Sequence, residues 1–511
     1  MLSDTRRSPI DFTLRLAGWR GHLLALLAGL AVPLSFAPFG IWPLTLLCPA
    51  LLALSLHGLD GRRALWRSFW FGLGMYGSGA SWVIVSISGY GGASLPLATL
   101  LTGIFITGLA LVFSLPFYLL GRYWRGSAAV PAFAACWVLG EWLRSWLFTG
   151  FPWLYIGYGH IHTWLAGWAP VAGVFGVGLA CVLSAAALAD TLLRPGRRRA
   201  LAATGLVALL WLGGWGLQSL EWTETVDRPI TVGMAQGNIP QELKWAPHFL
   251  QPTLARYRDM SAQLWQNDWV IWPEAAVPLL FHEAGAYLEE MHERAGNSDT
   301  ALITGILFDD YYGQVGAEPA YYNSIIGLGL GSGIYHKRRL VPFGEYVPLD
   351  KYLRGLIAFF DLPTSIIDPG PERQQGLRAG AYRLAPFICY EVVYPDLVAA
   401  SAAASHALIT ISNDAWFGDS IGPIQHLEMA QMRALETRRY LIRSTNNGIS
   451  AIVDRRGKIT RRSEQFVQQI LSGEVMAVRG STPFMWWGSW PVVALCVLLL
   501  GATWLRRRGA R

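Results

Sequence analysis

The sequence predicts a multi-pass α-helical membrane domain of eight spans joined to an α/β layered domain. Three observations carry this. The composition is 53% hydrophobic and only 15% charged, against about 25% charged residues in soluble globular domains. Residues 22–218 are a series of apolar runs separated by short arginine clusters. Residues 221–480 instead alternate short β-branched or aromatic segments with helix-like ones, the order of a layered α/β fold rather than an all-β sandwich.

Seven apolar runs fall near 22–38, 41–58, 67–88, 95–121, 129–148, 164–192 and 200–218, with an eighth near 488–505. Each is about long enough to cross roughly 30 Å of hydrocarbon, some by tilting. Arg6, Arg7, Arg15 and Arg20 precede the first run, and Arg62, Arg63 and Arg67 follow the second. Arg122 and Arg125 follow the fourth, Arg194 and Arg197 to Arg199 the sixth, and Arg506 to Arg508 the eighth. All these clusters fall on one side, so the positive-inside rule makes both termini cytoplasmic and sets residues 221–480 on the opposite face. A signal peptide ending near Ser35-Phe-Ala-Pro38 is the competing reading, and cleavage there would invert the arginine pattern.

The formal charge of +7 does not indicate nucleic-acid binding. Residues 1–220 hold 14 Arg, no Lys and 5 acids, and residues 481–511 hold 4 Arg and no acids. The region 221–480 therefore carries 23 bases against 29 acids, a net −6, and the basic balance belongs to the apolar runs' flanks. Glu141 and Arg144, three apart on the fifth run, share a helix face and either pair or snorkel to water. Trp486, Trp487 and Trp490 form an interfacial belt before the eighth run.

In the α/β region, 230–235, 269–272, 301–304, 324–327, 385–388, 407–411 and 449–453 read as strands, and 248–267, 281–296 and 424–442 as helices. Four of the five cysteines, Cys48, Cys136, Cys181 and Cys496, lie in the apolar runs. Cys389 is alone in its domain, at the end of an apolar strand, and is either a packed core thiol or a reactive one.

Two other stretches supply what a thiol nucleophile needs. Trp272-Pro-Glu-Ala-Ala-Val-Pro278 puts Glu274 just after a buried strand, as a proton acceptor or as an ordinary acid at a helix N-terminus. Tyr335-His-Lys-Arg-Arg-Leu-Val-Pro-Phe-Gly-Glu-Tyr-Val-Pro348 offers Lys337 as a fixed cation for a thiolate or an oxyanion, with Glu345 to hold it, or simply a solvated basic patch. The backbone N–H after Cys389 is a second oxyanion donor. Leu356-Ile-Ala-Phe-Phe360 is a candidate lid or membrane-dipping segment, or a plain packed helix.

The order Glu, Lys, Cys, each at a strand end, resembles the nitrilase superfamily. With Ile388-Cys-Tyr-Glu391, Ser412-Asn-Asp-Ala-Trp-Phe-Gly418 and the long lysine string, the chain is similar to the apolipoprotein N-acyltransferases over nearly its whole length. The resemblance implies an αββα nitrilase-like sandwich over 221–480, with residues 1–220 and 481–511 forming the membrane part. It matches Glu274 to a general base, Lys337 to an oxyanion-stabilising lysine and Cys389 to an acylated nucleophile. Glu345, Tyr390 and Glu391 match supporting positions, and Trp245 matches a substrate-loop tryptophan.

The implied reaction moves an acyl chain from a phospholipid to Cys389, then to the α-amino group of a diacylglyceryl-apolipoprotein, at the outer face of a bacterial inner membrane. The implied partners are those two lipid substrates and the bilayer. No cofactor is implied, and no Cys/His cluster has metal-ligand spacing; His160 and His162 are the only close histidine pair. Two rivals remain: a membrane-tethered nitrilase-type amidase in which water completes the reaction, and a transporter with an inactive outer domain.

Overall fold

The structure, a computed structural model, describes residues 18–124, 129–310, 320–342, 344–346 and 367–509. Arg6, Arg7, Arg15, Arg125 and the expected lid segment 356–360 lie outside the described residues. The chain forms two compact units: residues 1–84, 94–220 and 487–511 in one, residues 85–93 and 221–486 in the other.

The first unit is helical. Leu95–Tyr123, Trp164–Leu193 and Arg197–Gln218 are each long and apolar enough to cross a membrane; Trp19–Ser35, Leu44–Leu56 and Trp490–Arg506 are shorter apolar helices. Gly61–Gly79 and Ala129–Arg144 pack among them. Only 11% of the most apolar stretch of Arg197–Gln218 is buried, so Leu201, Leu209, Leu212 and Trp215 face outward. An apolar surface of that extent suits lipid rather than water.

Glu141 and Arg144 do neither of the things expected of them. Both are buried, and no ion pair joins them among the described residues. Glu141 accepts from Trp137 Nε1 at 3.0 Å and from Ile156 N at 2.8 Å. Arg144 Nη1 donates to the carbonyls of Phe151 and Trp153 at 2.7 and 2.5 Å. Each holds the irregular 150–156 segment, whose backbone groups would otherwise lack partners in an apolar setting.

The second unit is built on two sheets. One contains β1 (Thr223–Gln236), β2 (Trp269–Ile271), β3 (Val277–Leu280), β4 (Ala301–Asp309) and β5 (Tyr321–Gly329). The other begins with β6 (Gly331–Ser332), after which β7 (Ile334–His336) returns to the first sheet. The second sheet continues with β8 (Leu377–Ala379), β9 (Tyr382–Ile388), β10 (Ala407–Ser412), β11 (Leu441–Thr445), β12 (Ala451–Val453) and β13 (Ile459–Arg462). Finally, β14 (Gln469–Gly480) pairs antiparallel with β1 at the edge of the first sheet. The orders are β14-β1-β2-β4-β5-β7, with β3 against β4, and β13-β12-β11-β10-β9-β8-β6.

Alternation along the strands makes the layers. Ile230, Val232, Met234, Trp269, Ile271 and Ile303 of the first sheet meet Leu384, Ile388, Ile409, Ile411, Ile442 and Ile452 of the second in one core. Intervening residues Val270, Trp272 and Leu302 face the helices Leu250–Ala262 and Gly285–Gly296 through Leu254, Tyr257, Leu288 and Met291. Helices Pro395–Ala402 and Gly422–Thr437 pack with the second sheet. The period of two sends neighbouring side chains to opposite faces, giving the αββα arrangement expected for this region. Val85–Ala93 belongs to this unit too: Ser86 Oγ donates to Trp416 O at 2.6 Å, and Tyr90 packs edge-on against Trp416.

Candidate active site

Strand ends bring the expected residues together. β9 ends at Ile388, and Cys389 turns the chain into the short helical turn Cys389–Val393 with φ +51°. A left-handed conformation costs a non-glycine residue roughly 1–2 kcal/mol, so the elbow needs outside support. Glu391 supplies some of it: Oε2 accepts from Ile388 N at 2.9 Å. Its Oε1 accepts from Tyr335 Oη at 2.9 Å, Arg338 N at 2.7 Å and Arg339 N at 3.2 Å. One buried carboxylate thus ties the cysteine elbow to the backbone immediately after Lys337.

Lys337 follows β7, and its own N–H is anchored on Asn323 O at 2.8 Å. Nζ lies 2.7 Å from Glu345 Oε1 and 3.8 Å from Glu274 Oε1, with the side chain only 1% exposed. Burial alone would lower the lysine pKa, but Glu345 and Glu274 outweigh it and hold Lys337 protonated well above its ordinary value. The basic run therefore splits: Lys337 is a buried cation, and Arg339 is the exposed residue.

Glu274 lies between β2 and β3 and is buried. Oε1 accepts from Asn323 Nδ2 at 2.7 Å and Oε2 from Asn413 N at 2.8 Å. Asn323 Nδ2 also donates to Glu345 Oε1 at 3.2 Å, so one amide bridges both carboxylates. Burial raises the Glu274 pKa against the opposing effect of Lys337, and Glu345 adds to the rise. Burial and the Glu274 charge push the Cys389 thiol up to about 12, against the pull of Lys337. The resting site is a neutral thiol beside a carboxylate of increased basicity and a fixed cation.

Tyr390 stacks edge-on with Tyr394 at 5.4 Å. Trp245 is exposed on the turn 241–245. That turn is fastened to the site by Lys244 Nζ, which donates to Glu274 O at 2.9 Å, and by Gln241 Oε1, which accepts from Asn413 Nδ2 at 2.5 Å. Nothing in the sequence marks Lys244, Asn323 or His426 for this site, although Asn413 and Asp414 lie in the Ser412-Asn-Asp-Ala-Trp-Phe-Gly418 string. Among the described residues no cluster of His, Cys, Asp and Glu could hold a metal.

Residues 231–483, which hold Glu274, Lys337 and Cys389 and all of both sheets but the start of β1, match the family model described as carbon-nitrogen hydrolase. Residues 28–187 match the apolipoprotein N-acyltransferase N-terminal domain. The chain is 50% identical to the apolipoprotein N-acyltransferase of Azotobacter vinelandii, covering 97% of this chain and 96% of that relative. It is 49% identical to that of Pseudomonas aeruginosa, covering 94% and 95%, and 39% identical to that of Coxiella burnetii, covering 94% and 99%. The chain belongs to the apolipoprotein N-acyltransferase family, enzymes that combine an apolar helical region with a nitrilase-like domain, and it is a membrane protein.

Proposed function

We propose that the protein transfers a fatty acyl chain from a phospholipid to Sγ of Cys389, and then to the α-amino group of an N-terminal diacylglyceryl-cysteine on an apolipoprotein. The observation that carries this reading is the buried Lys337, held between Glu345 and Glu274 beside an un-ionised Cys389. A thiol whose pKa is raised needs its proton removed as it attacks, and Glu274, itself more basic than a free carboxylate, accepts it. Sγ adds to the ester carbonyl, and the oxyanion forms against Lys337 and the N–H of Tyr390. The C–O bond then breaks, the leaving lysophospholipid oxygen takes the proton from Glu274, and a thioester remains. The lipoprotein amine attacks that thioester and loses its proton to Glu274. The C–S bond breaks, and the departing thiolate takes the proton back.

Glu345 fixes Lys337, Glu391 fixes the elbow, Tyr390 lends its N–H, and Trp245 contacts the lipid substrate from its exposed turn. In this reading residues 1–220 contribute seven spans and 481–511 the eighth, both termini are cytoplasmic, and 221–480 stands on the periplasmic side of a bacterial inner membrane. The outward apolar faces and the one-sided arginine clusters support that orientation. Both substrates partition into a bilayer, which also limits the water that would hydrolyse a thioester.

The test is intact mass spectrometry of wild type and Cys389→Ala after incubation with phospholipid and no acceptor. The expected result is a fatty-acyl increment on the wild type alone, released by hydroxylamine and by a diacylated peptide with a free amine. An increment that water discharges while the peptide stays unmodified would favour the tethered amidase.

A further inference from the structure

Three buried polar residues that the acyl-transfer steps leave unused form a cluster that reaches the backbone of Cys389 through one of them, His426. His426, on the helix Gly422–Thr437, places Nε2 3.2 Å from the carbonyl oxygen of Cys389. Its Nδ1 lies 3.1 Å from Nη2 of Arg443 on β11 and 3.3 Å from Oδ1 of Asp414. The same Arg443 Nη2 donates to Asp414 Oδ2 at 2.7 Å. All three side chains are at most 1% exposed.

The donor pattern fixes the histidine tautomer. The Cys389 carbonyl oxygen only accepts, so Nε2 carries a proton; at Nδ1 the guanidinium of Arg443, which only donates, is the nearer partner at 3.1 Å against 3.3 Å for the Asp414 oxygen, so Nδ1 accepts. The contact with Cys389 is then an N–H···O=C hydrogen bond. Burial and the Arg443 charge hold His426 below its ordinary pKa, against Asp414 and the Cys389 carbonyl; the neutral ring this tautomer requires is the form the surroundings favour.

The consequence follows from peptide geometry. Cys389 carries positive φ, a conformation that persists only when its surroundings enforce it. The Cys389 carbonyl and the Tyr390 N–H belong to one rigid trans peptide and point in opposite directions. Gripping the oxygen therefore aims the N–H.

We propose that His426 is a positioning residue for acyl transfer: its Nε2–H grips the Cys389 carbonyl and turns the Tyr390 N–H toward the oxyanion of the tetrahedral intermediate, while Arg443, held in place by Asp414, caps Nδ1 and fixes the tautomer. The inference rests on the thioester reading of the site. His426 touches neither substrate nor the reacting atoms, so its contribution is to the oxyanion donor and not to the nucleophilicity of the thiol.

Two probes of Cys389 separate those properties in the full-length protein. A long-chain fatty aldehyde adds the thiol across its carbonyl: a C–S bond forms, the carbonyl π pair moves to oxygen, and the thiol proton ends on that oxygen in a hemithioacetal. That oxygen occupies the oxyanion position. Iodoacetamide alkylates sulfur with loss of iodide and creates no oxyanion. His426→Leu is expected to lower both kcat and aldehyde affinity by about 100-fold, the scale of losing one oxyanion donor. KM and the alkylation rate should stay within about twofold, a margin too small to matter against that loss.

His426→Gln, whose amide reaches the same carbonyl, should recover most of the loss. His426→Asn keeps a contact with Arg443 but falls short of the carbonyl, so it carries the same expectation as leucine if the leucine variant does not fold. Parallel loss of aldehyde affinity and alkylation rate, or no loss of either, would overturn the proposal. If the wild type itself forms no Cys389-dependent acyl adduct, the thioester reading fails first and takes this inference with it.

Discussion

Lys244 Nζ donates to the backbone carbonyl of Glu274 at 2.9 Å, so the turn that carries Trp245 is fastened to the residue proposed as general base. Lys244 is buried, and desolvation lowers its pKa to about 8 although the Glu274 charge opposes the fall. The Lys244 charge in turn is one of the influences holding the Glu274 pKa down. In Lys244→Met that influence is gone, so the Glu274 pKa rises further and the acid limb of the kcat/KM profile moves to higher pH. Turnover at pH 7 should fall roughly tenfold, the effect of disturbing a catalytic proton acceptor. An unmoved acid limb would separate Lys244 from the chemistry.

The same lysine gives a stability signature. Its pKa is about 8 in the fold against an ordinary 10.5, so the unfolded chain binds more protons between those values and stability rises with pH through that window. The full difference is of order 3 kcal/mol at about 1.4 kcal/mol per pKa unit. Thermal unfolding of wild type and Lys244→Met compared at pH 7.5 and pH 10 should show the wild type gaining ground that the variant does not.

Gly305 on β4 is a second point where the general base is set by backbone. A Cβ there would stand 2.6 Å from Ala275 N, 2.7 Å from Pro273 O and 2.8 Å from Glu274 Cα. None of these atoms is the end of a flexible side chain, so Gly305→Ala must displace the Glu274 loop. A displacement near 1 Å costs about 100-fold in rate. Steady-state kinetics should show that loss in kcat with KM little changed; equal losses in kcat and in thermal stability would mean that the sheet, not the loop, had yielded.

Much of this arrangement was legible because burial writes itself into sequence. β10 is buried along its whole length, so Ala407–Ser412 reads as a mostly apolar run broken only by the small hydroxyl side chains of Thr410 and Ser412. Cys389 and Glu274 each follow such a run, so the sequence marks the strand ends at which they stand. β14 went unrecognised because only one of its faces is well covered and Ser472, Gly473 and Glu474 interrupt its pattern. Lys244, Asn323 and His426 were missed for a different reason. Each is an ordinary polar residue in a turn, a strand or a helix, and its partner lies 30, 49 or 37 positions away. The pairing of Glu141 with Arg144 failed similarly: helical spacing put them on one face, but the 150–156 backbone claimed both.

Glu391 is a test of whether the elbow needs its carboxylate. It accepts four hydrogen bonds, three of them from backbone N–H groups. Glu391→Gln keeps the shape but turns one oxygen into a donor facing other donors. Hydrogen bonds to a charged group contribute about 1.5–3 kcal/mol each, so losing even one should lower the melting temperature measurably. The elbow and the segment after Lys337 should loosen together, reducing acyl loading of Cys389 by 100-fold or more. Full acyl loading in the variant, read by intact mass, would show that the elbow holds its shape without this link.

Asp414 gives the clearest acid dependence. Burial alone would raise its pKa, but the Arg443 guanidinium holds it down to about 2, against an ordinary 3.8. A carboxylate with a depressed folded pKa stabilises the fold above its unfolded value, and that contribution disappears as pH falls from 3.8 toward 2. The difference is worth about 2 kcal/mol at roughly 1.4 kcal/mol per unit. Asp414→Asn leaves Arg443 without its charge partner at 2.7 Å, and breaking a buried pair costs about 3–5 kcal/mol. The variant should therefore melt well below the wild type at pH 7. Near pH 2.5 the gap should narrow, since the wild type has by then lost much of what the carboxylate contributed. A gap that stays constant from pH 7 to pH 2.5 would mean that Asp414 acts through its shape and hydrogen bonds rather than its charge.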